Sequence, residues 1–311
     1  MKYGYGVDLG GTTVKIACFA EDGTMLSKWE IPTVTDNGGA AILPDIAASI
    51  RAHRETMEGQ LIGIGIGVPG PVDAHGNVNC CVNLGWGQFN IVQALSDLTG
   101  CPVKAGNDAN VAALGEFWKG GGQGSRNMVF VTLGTGVGGG IVIEGNLLHG
   151  ANGAGAEIGH MVINPEETAV CGCGKRGCAE QYFSATGIVR QAKQKLTGSD
   201  MPSALRGLET LTCKDVFDCA KAGDALALEV LDKVYMDMGR FLANVCCVIN
   251  PEVVVLGGGV SKAGQVLIDG VMPYFDQYAF HAIRDIAVSL ASLGNDAGAY
   301  GAFKLVLDAC S

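Results

Sequence analysis

Several features are scarce in this chain. No apolar run approaches the length that crosses a bilayer, because glycine or a charged residue interrupts each one early, and a membrane-embedded role is disfavoured. Positive charge is in deficit, with 21 Lys and Arg against 31 Asp and Glu for a net charge of −10. Broad electrostatic binding of nucleic acid or anionic membrane needs the opposite balance, so an anionic ligand has to be held by local dipoles. The opening MKYGYGVDLGG lacks an apolar core followed by a cleavage site. The expectation is a cytoplasmic protein with neither a nucleic-acid nor a membrane partner. Charged residues are only 17% against 48% hydrophobic, which describes a chain able to bury a large core.

Glycine is abundant, 48 among 311 residues, more than regular helices and strands accommodate, and this implies turns that approach ligands closely. The length exceeds what one core usually serves, so two domains are expected. Residues 1–118 plus 300–311 would form the smaller N-terminal domain and 119–299 the larger one. Of the 12 cysteines, Cys18, Cys80, Cys81, Cys101, Cys213, Cys219, Cys246, Cys247 and Cys310 stand mostly beside apolar neighbours and read as buried reduced thiols.

The alternation in YGYGVDLGGTTVKIACF predicts two strands, with a turn at Glu21-Asp22-Gly23 leading to a third. Ile42, Ile46 and Ile50 repeat at helical spacing within 39–54, and LIGIGIGVPG reads as a buried strand. Helices over 91–98 and 108–118 flank a short strand at 102–106, with Asn107 or Asp108 placed to cap the second helix. After glycines 120, 121, 122 and 124, the stretch NMVFVTLGTGVGGGIVIEG repeats the strand, glycine bend, strand pattern and reads as a second copy of the opening unit. The remainder is more helical, with helices over 184–196, 214–222, 225–248, 263–278 and 298–309 and strands at VVVLGGG and 286–290.

The spacing G-x-G-x-x-G occurs at Gly134, Gly136 and Gly139 and at Gly65, Gly67 and Gly70. A dinucleotide fingerprint needs a helix directly afterwards, whereas the first match runs into the strand GIVIEG and the second into Pro69-Gly70-Pro71. A bend between two strands offers a different phosphate cradle, in which backbone N–H groups and threonine hydroxyls face anionic oxygens. DLGGT and LGTGVGGG each read alone as a tight hairpin; together they suit a triphosphate. Asp8 is placed to hold Mg²⁺ through water, and Lys15 adds charge. The glycines after VVVL suit a ribose or base and suit a plain strand-to-helix turn nearly as well.

In HMVINPEETAVCGCGKRGC the ligand order is His160, Cys171, Cys173, Cys178. Three thiolates and an imidazole in a short glycine-rich loop suit a closed tetrahedral zinc site. A disulfide is disfavoured in a reducing cytosol, and core packing sits badly with the Gly, Lys and Arg neighbours. Glu157 and Glu180 stand beside these ligands. A zinc-bound histidine commonly uses its second ring nitrogen for a further hydrogen bond, so the group would suit a polyhydroxylated ligand; surface acids around a structural ion are the other reading.

With DLGGT at 8–12, GVPGPVD at 67–73, NDAN at 107–110, LGTGVGGG at 133–140, EIGH at 157–160 and CGCGKRGCAE at 171–180, the chain resembles the ROK (repressor, ORF, kinase) family nearly end to end, with the bacterial ROK glucokinases as the nearest likeness. The resemblance implies an α/β, two-domain actin-like ATPase (ribonuclease H-like) sugar kinase fold with an interdomain cleft. It also implies ATP-dependent phosphorylation of a hexose with Mg²⁺, a structural Zn²⁺ and a homodimer. Asp108 would be the general base. Gly70, Asn83, Asn107, Asp108, Glu157, His160 and Glu180 would form the sugar shell, Asn83 on the looser motif VNLGW. The ATP side would fall on Asp8, Gly10, Gly11, Thr12, Thr13, Lys15, Thr135, Gly136, Gly258 and Gly259. A sugar-responsive repressor of the same family needs an added N-terminal DNA-binding region, for which the seven residues before DLGGT leave no room.

Overall fold

The computed structural model describes residues 1–310. The chain opens with β1 (Lys2–Leu9), β2 (Thr13–Ala20) and β3 (Met25–Pro32), then a turn α1 (Asp36–Gly39), α2 (Ile42–Arg54) and β4 (Gln60–Val68). A small ribbon of β5 (Asn77–Val78) and β6 (Phe89–Asn90) precedes α3 (Ile91–Thr99), β7 (Val103–Asn107) and α4 (Asp108–Lys119). Next come β8 (Met128–Leu133), β9 (Val137–Ile143), β10 (Asn146–Leu147), α5 (Glu180–Phe183), α6 (Ala185–Thr197), α7 (Cys213–Lys221) and α8 (Ala225–Ile249). The chain continues through β11 (Val253–Gly257), α9 (Gln265–Tyr278), β12 (Ala287–Leu290) and α10 (Ala297–Cys310).

Two five-stranded sheets result, ordered β3-β2-β1-β4-β7 and β10-β9-β8-β11-β12. In the first, β1 pairs antiparallel with β2 and parallel with β4; in the second, β11 lies parallel to both β8 and β12. The second sheet thus repeats the order of the first, as the repeated strand, bend, strand pattern leads one to expect. The chain divides into two compact units: Met1–Arg126 with Gly140–Ala156 and the chain from Ser292 on, and Asn127–Gly139 with Glu157–Ala291.

The glycines of YGYG and GIGIG have a packing cause. On one face of the first sheet Tyr5, Val7, Ile64 and Ile66 are buried against Ile42, Ile46 and Ile50 of α2, each contributing about 1.5–3 kcal/mol. On the opposite face the alternate positions are glycine because α10 lies directly on the strands. A Cβ on Gly6 would overlap the Ala299 carbonyl, and one on Gly65 the Ala302 carbonyl. Gly115 and Gly301 give α4 and α10 the same close approach, against Ala297 and Val111. α4, whose first residue is Asp108, is thereby fixed on the sheet through backbone contact.

Several boundaries move by a few residues. The helices expected over 39–54 and 263–278 begin at Ile42 and Gln265, because Gly39 and Gly264 take φ of +70° and +80°, outside the right-handed helical region. The expected burial of nine cysteines holds for Cys18, Cys81, Cys101 and Cys246; Cys80, Cys247 and Cys310 are exposed and Cys213 and Cys219 half-buried. Apolar neighbours in sequence did not place those side chains on a buried face. Among the described residues no helix is long and apolar enough to cross a membrane.

Candidate active site

In the first unit, Asn107 ends β7 and caps α4. Its Oδ1 accepts from the N–H groups of Ala109 and Asn110 at 3.0 and 3.2 Å, while its Nδ2 donates to the Gly70 carbonyl at 3.2 Å. One side chain therefore both starts the helix and fastens the GVPGP segment. Asp108 follows, and its Oδ1 accepts from Ala109 N–H at 2.8 Å; a carboxylate is electrostatically favoured at a helix N-terminus. Gly70 has to be glycine, since a Cβ would lie 2.7 Å from Cys81 Sγ and 2.8 Å from the Cys80 carbonyl. Asn83 sits exposed on the short turn Val82–Leu84, where no side-chain hydrogen bond joins it to Asn107, Asp108 or Gly70 among the described residues.

The first glycine bend joins β1 to β2. Gly10 N–H donates to the Thr13 carbonyl at 3.0 Å and closes the turn, leaving Gly11 and Thr12 at its exposed tip. A Cβ on Gly11 would meet open space, so the bend leaves room above its backbone. Asp8 and Lys15 face each other across the strand pair at 3.7 Å. Burial raises the Asp8 pKa above the ordinary carboxylate range and Lys15 partly offsets this, so further positive charge would stabilise the ionised form. Gly298, at the start of α10, makes room for this carboxylate: a Cβ there would lie 2.6 Å from Asp8 Cγ.

In the second unit three segments meet. Gly134 N–H donates to the Gly136 carbonyl at 2.9 Å, and Ala185 N–H donates to the Gly134 carbonyl at 2.8 Å. The Thr186 hydroxyl donates to the Thr135 carbonyl at 2.7 Å, so the start of α6 supports the bend. A Cβ on Gly258, which has φ +84°, would lie 2.6 Å from the Leu133 carbonyl oxygen, bringing the glycines after β11 against the same bend; Gly259 is exposed beside them.

Glu180, which the family resemblance places in the sugar shell, lies against the LGTG bend. Its Oε2 accepts from Val137 N–H at 3.2 Å, and a Cβ on Gly136 would overlap that oxygen. Its Oε1 lies 3.4 Å from Cys171 Sγ. A single carboxylate thus fastens the candidate phosphate bend to the cysteine cluster. Sequence reasoning missed this joint, as well as the part played by Ala185 and Thr186. Thr135, Gly136, Cys171, Glu180, Thr186 and Arg190 are among the residues that line a cavity of about 350 Å³.

The donor atoms of His160, Cys171, Cys173 and Cys178 all lie within 4.8 Å of one another, close enough to share one ion. Cys171 Sγ is 3.8 Å from His160 Nδ1, and Cys173 Sγ is 3.6 Å from Cys178 Sγ. His160 Nε2 points instead to the Glu157 carboxylate at 4.0 Å, so the two ring nitrogens serve different partners. Burial pushes the Cys171 thiol well above its ordinary pKa, and a cation held by the cluster would favour the thiolate there. A three-sulfur, one-nitrogen donor set fits zinc.

The base of the cysteine loop is held by Glu167. Its carboxylate accepts from Tyr182 Oη at 2.7 Å, from Arg190 at 2.8 Å and from the N–H groups of Thr168 and Ala169 at 3.0 Å. Burial opposes ionisation, but these donors outweigh it and hold the Glu167 pKa at about 2. With the folded value depressed below the ordinary one, its stabilisation is fully present above the unfolded pKa and is lost as pH falls through the folded one. The melting-temperature gap between the protein and Glu167→Gln is expected to be widest near pH 7 and to narrow below about pH 4, which a pH series of thermal melts checks.

Across 97% of its length and 94% of the other's, the chain is 46% identical to a glucokinase of Halalkalibacterium halodurans. An N-acetylgalactosamine kinase of Shewanella sp. is 32% identical over 97% of this chain and 96% of its own. Among solved structures, a ROK family glucokinase from Streptomyces griseus in complex with glucose and AMPPNP matches with a TM-score of 0.79 at 33% identity, covering 97% of this chain and 98% of that one. The expected actin-like, ribonuclease H-like sugar kinase fold is thereby borne out. Since the ROK family model also fits residues 4–309, the chain belongs to the ROK family.

Proposed function

We propose that this protein is an ATP-dependent hexose kinase that converts glucose and ATP to glucose 6-phosphate and ADP. The observation that carries the reading is the double attachment of Glu180. One of its oxygens accepts from the LGTG bend and the other lies against the cluster containing His160, so a nucleotide cradle and a sugar grip are built on one carboxylate. The likeness to a glucokinase over nearly the whole chain supports glucose as the acceptor.

In this reading Asp108 accepts the proton of the sugar hydroxyl as its oxygen forms a bond to the γ-phosphorus, and the bond from phosphorus to the bridging oxygen of ADP breaks. Asn107 and Gly70 border Asp108, with Asn83 on its nearby turn, while Glu157, His160 and Glu180 present two carboxylates and an imidazole nitrogen to the ring hydroxyls. The backbone of Gly10 to Thr13 and of Thr135 and Gly136 faces the phosphates, with Lys15 adding charge and Gly258 and Gly259 beside the nucleoside. Asp8 would hold Mg²⁺, which supplies charge neutralisation at the phosphates when bound. His160, Cys171, Cys173 and Cys178 would hold Zn²⁺, whose contribution is to fix the imidazole. A homodimer rests on the family likeness, and a cytoplasmic setting suits twelve unpaired cysteines.

The test is sugar-phosphate formation measured across glucose, mannose, fructose, allose, N-acetylmannosamine and N-acetylgalactosamine, with ATP and polyphosphate compared as donors. Glucose with ATP is expected to give the highest kcat/KM. A higher value for an N-acetylated hexosamine would replace glucose as the substrate, and absence of turnover with every sugar would end the kinase reading.

A further inference from the structure

The glycines at 120–122 serve neither candidate cradle. They surround Glu116, in the last turn of α4, which is 0% exposed. Its Oε2 accepts from Gly121 N–H at 2.8 Å and Ser292 N–H at 3.0 Å, and its Oε1 accepts from Leu293 N–H at 2.8 Å. Its own carbonyl accepts from the N–H groups of Gly120 and Gly122, both at 3.0 Å. Five backbone donors converge on one residue. A Cβ on Gly120 would overlap Oε2, which explains why that position is glycine. Among the described residues no cationic side chain pairs with this carboxylate.

A buried anion near a helix C-terminus is disfavoured by the helix dipole, and an apolar side chain would fill the space at less cost. What the carboxylate does that an apolar group cannot is hold two separate stretches of backbone at once. These stretches adjoin two of the places where the chain passes between its compact units, Arg126 to Asn127 and Ala291 to Ser292. The third element it fixes is α4 itself, which begins at Asp108.

We infer that Glu116 is a positioning residue for phosphoryl transfer: it ties the helix bearing Asp108 to the outgoing and returning segments that connect the two units. This rests on Asp108 being the base. The residues proposed to grip the sugar do not touch Glu116, so loosening it falls on alignment for the chemical step and spares ground-state sugar binding.

Glu116→Gln keeps the size but turns one acceptor into a donor facing an N–H. With active sites counted by glucose binding and assays run well below the melting temperature, kcat is expected to fall at least about tenfold while the glucose KM stays within about threefold. Glu116→Asp, which keeps the charge on a shorter side chain, is expected to show the same split in milder form. Hydrogen exchange should find the amides of Gly121, Ser292 and Leu293 protected in the wild type, and those left facing the amide nitrogen in Glu116→Gln should lose that protection. A lowered melting temperature with unchanged kcat per folded molecule would overturn the inference. So would failure of both variants to fold, because Glu116 would then serve folding alone. If Asp108→Asn turns over normally, the functional reading itself fails; if that variant is dead and Glu116→Gln is not, only this inference does.

Discussion

Asp108→Asn is expected to bind glucose within about threefold of the wild type and to lose roughly 10²–10⁴-fold in kcat. The amide is nearly the same shape, and its oxygen can still accept from Ala109 N–H, as the carboxylate does at 2.8 Å. Asn107, which supplies the helix cap and the bond to Gly70, is untouched, so local structure should persist. Stability should change by no more than about 1 kcal/mol, the usual scale for one charge at a helix N-terminus. What disappears is the capacity to take a proton as the sugar oxygen attacks. Calorimetric titration of glucose beside a coupled ADP assay separates the two effects. Near-normal turnover would remove Asp108 as the base and leave it a first-turn carboxylate at the N-terminus of α4, beside the Asn107 cap.

The sequence was most informative where periodicity met a packing demand. Alternating Tyr and Gly in β1 announced a strand, and Ile and Gly in β4 a buried one. The reason for the glycines, the backbone of α10 lying on the sheet, was hidden because Ala299 and Ala302 are more than 230 residues from those strands. The gathering of His160 and the three cysteines within 4.8 Å of one another was legible because their spacing is local and their chemistry narrow. The joint between Gly136 and Glu180 was illegible for the opposite reason: 44 residues separate them, and nothing in either motif names the other. Glu116 carried no signal, since a Glu in the last turn of an amphipathic helix reads as solvated; its burial arises only when residues 292 and 293 arrive. The cysteine burial expectations failed at Cys80, Cys247 and Cys310 because apolar neighbours in sequence do not fix which way one side chain faces.

Cys173→Ser is expected to lower metal content from about one ion per chain toward none and to raise the glucose KM by roughly 10–100-fold, with the ATP KM nearly unchanged. Serine is a poor ligand for a soft site, and three remaining donors bind far less tightly than four. Cys173 is exposed and lies with the other three donors of the cluster, so its replacement leaves no cavity in a core. The base of the loop should stay in place through Glu167, Tyr182 and Arg190. The segment above it depends on the shared ion, and there Gly174 and Gly177 adopt φ of +86° and +76°. In the proposed reading His160 is the link from ion to sugar. With Nδ1 no longer held beside Cys171, nothing fixes the direction of Nε2 toward Glu157, and two contacts to the ring loosen together. Metal analysis and glucose titration on the same preparation decide the matter. A metal-free Cys173→Ser protein with normal glucose affinity would show the cluster to be structural only and detach it from the sugar.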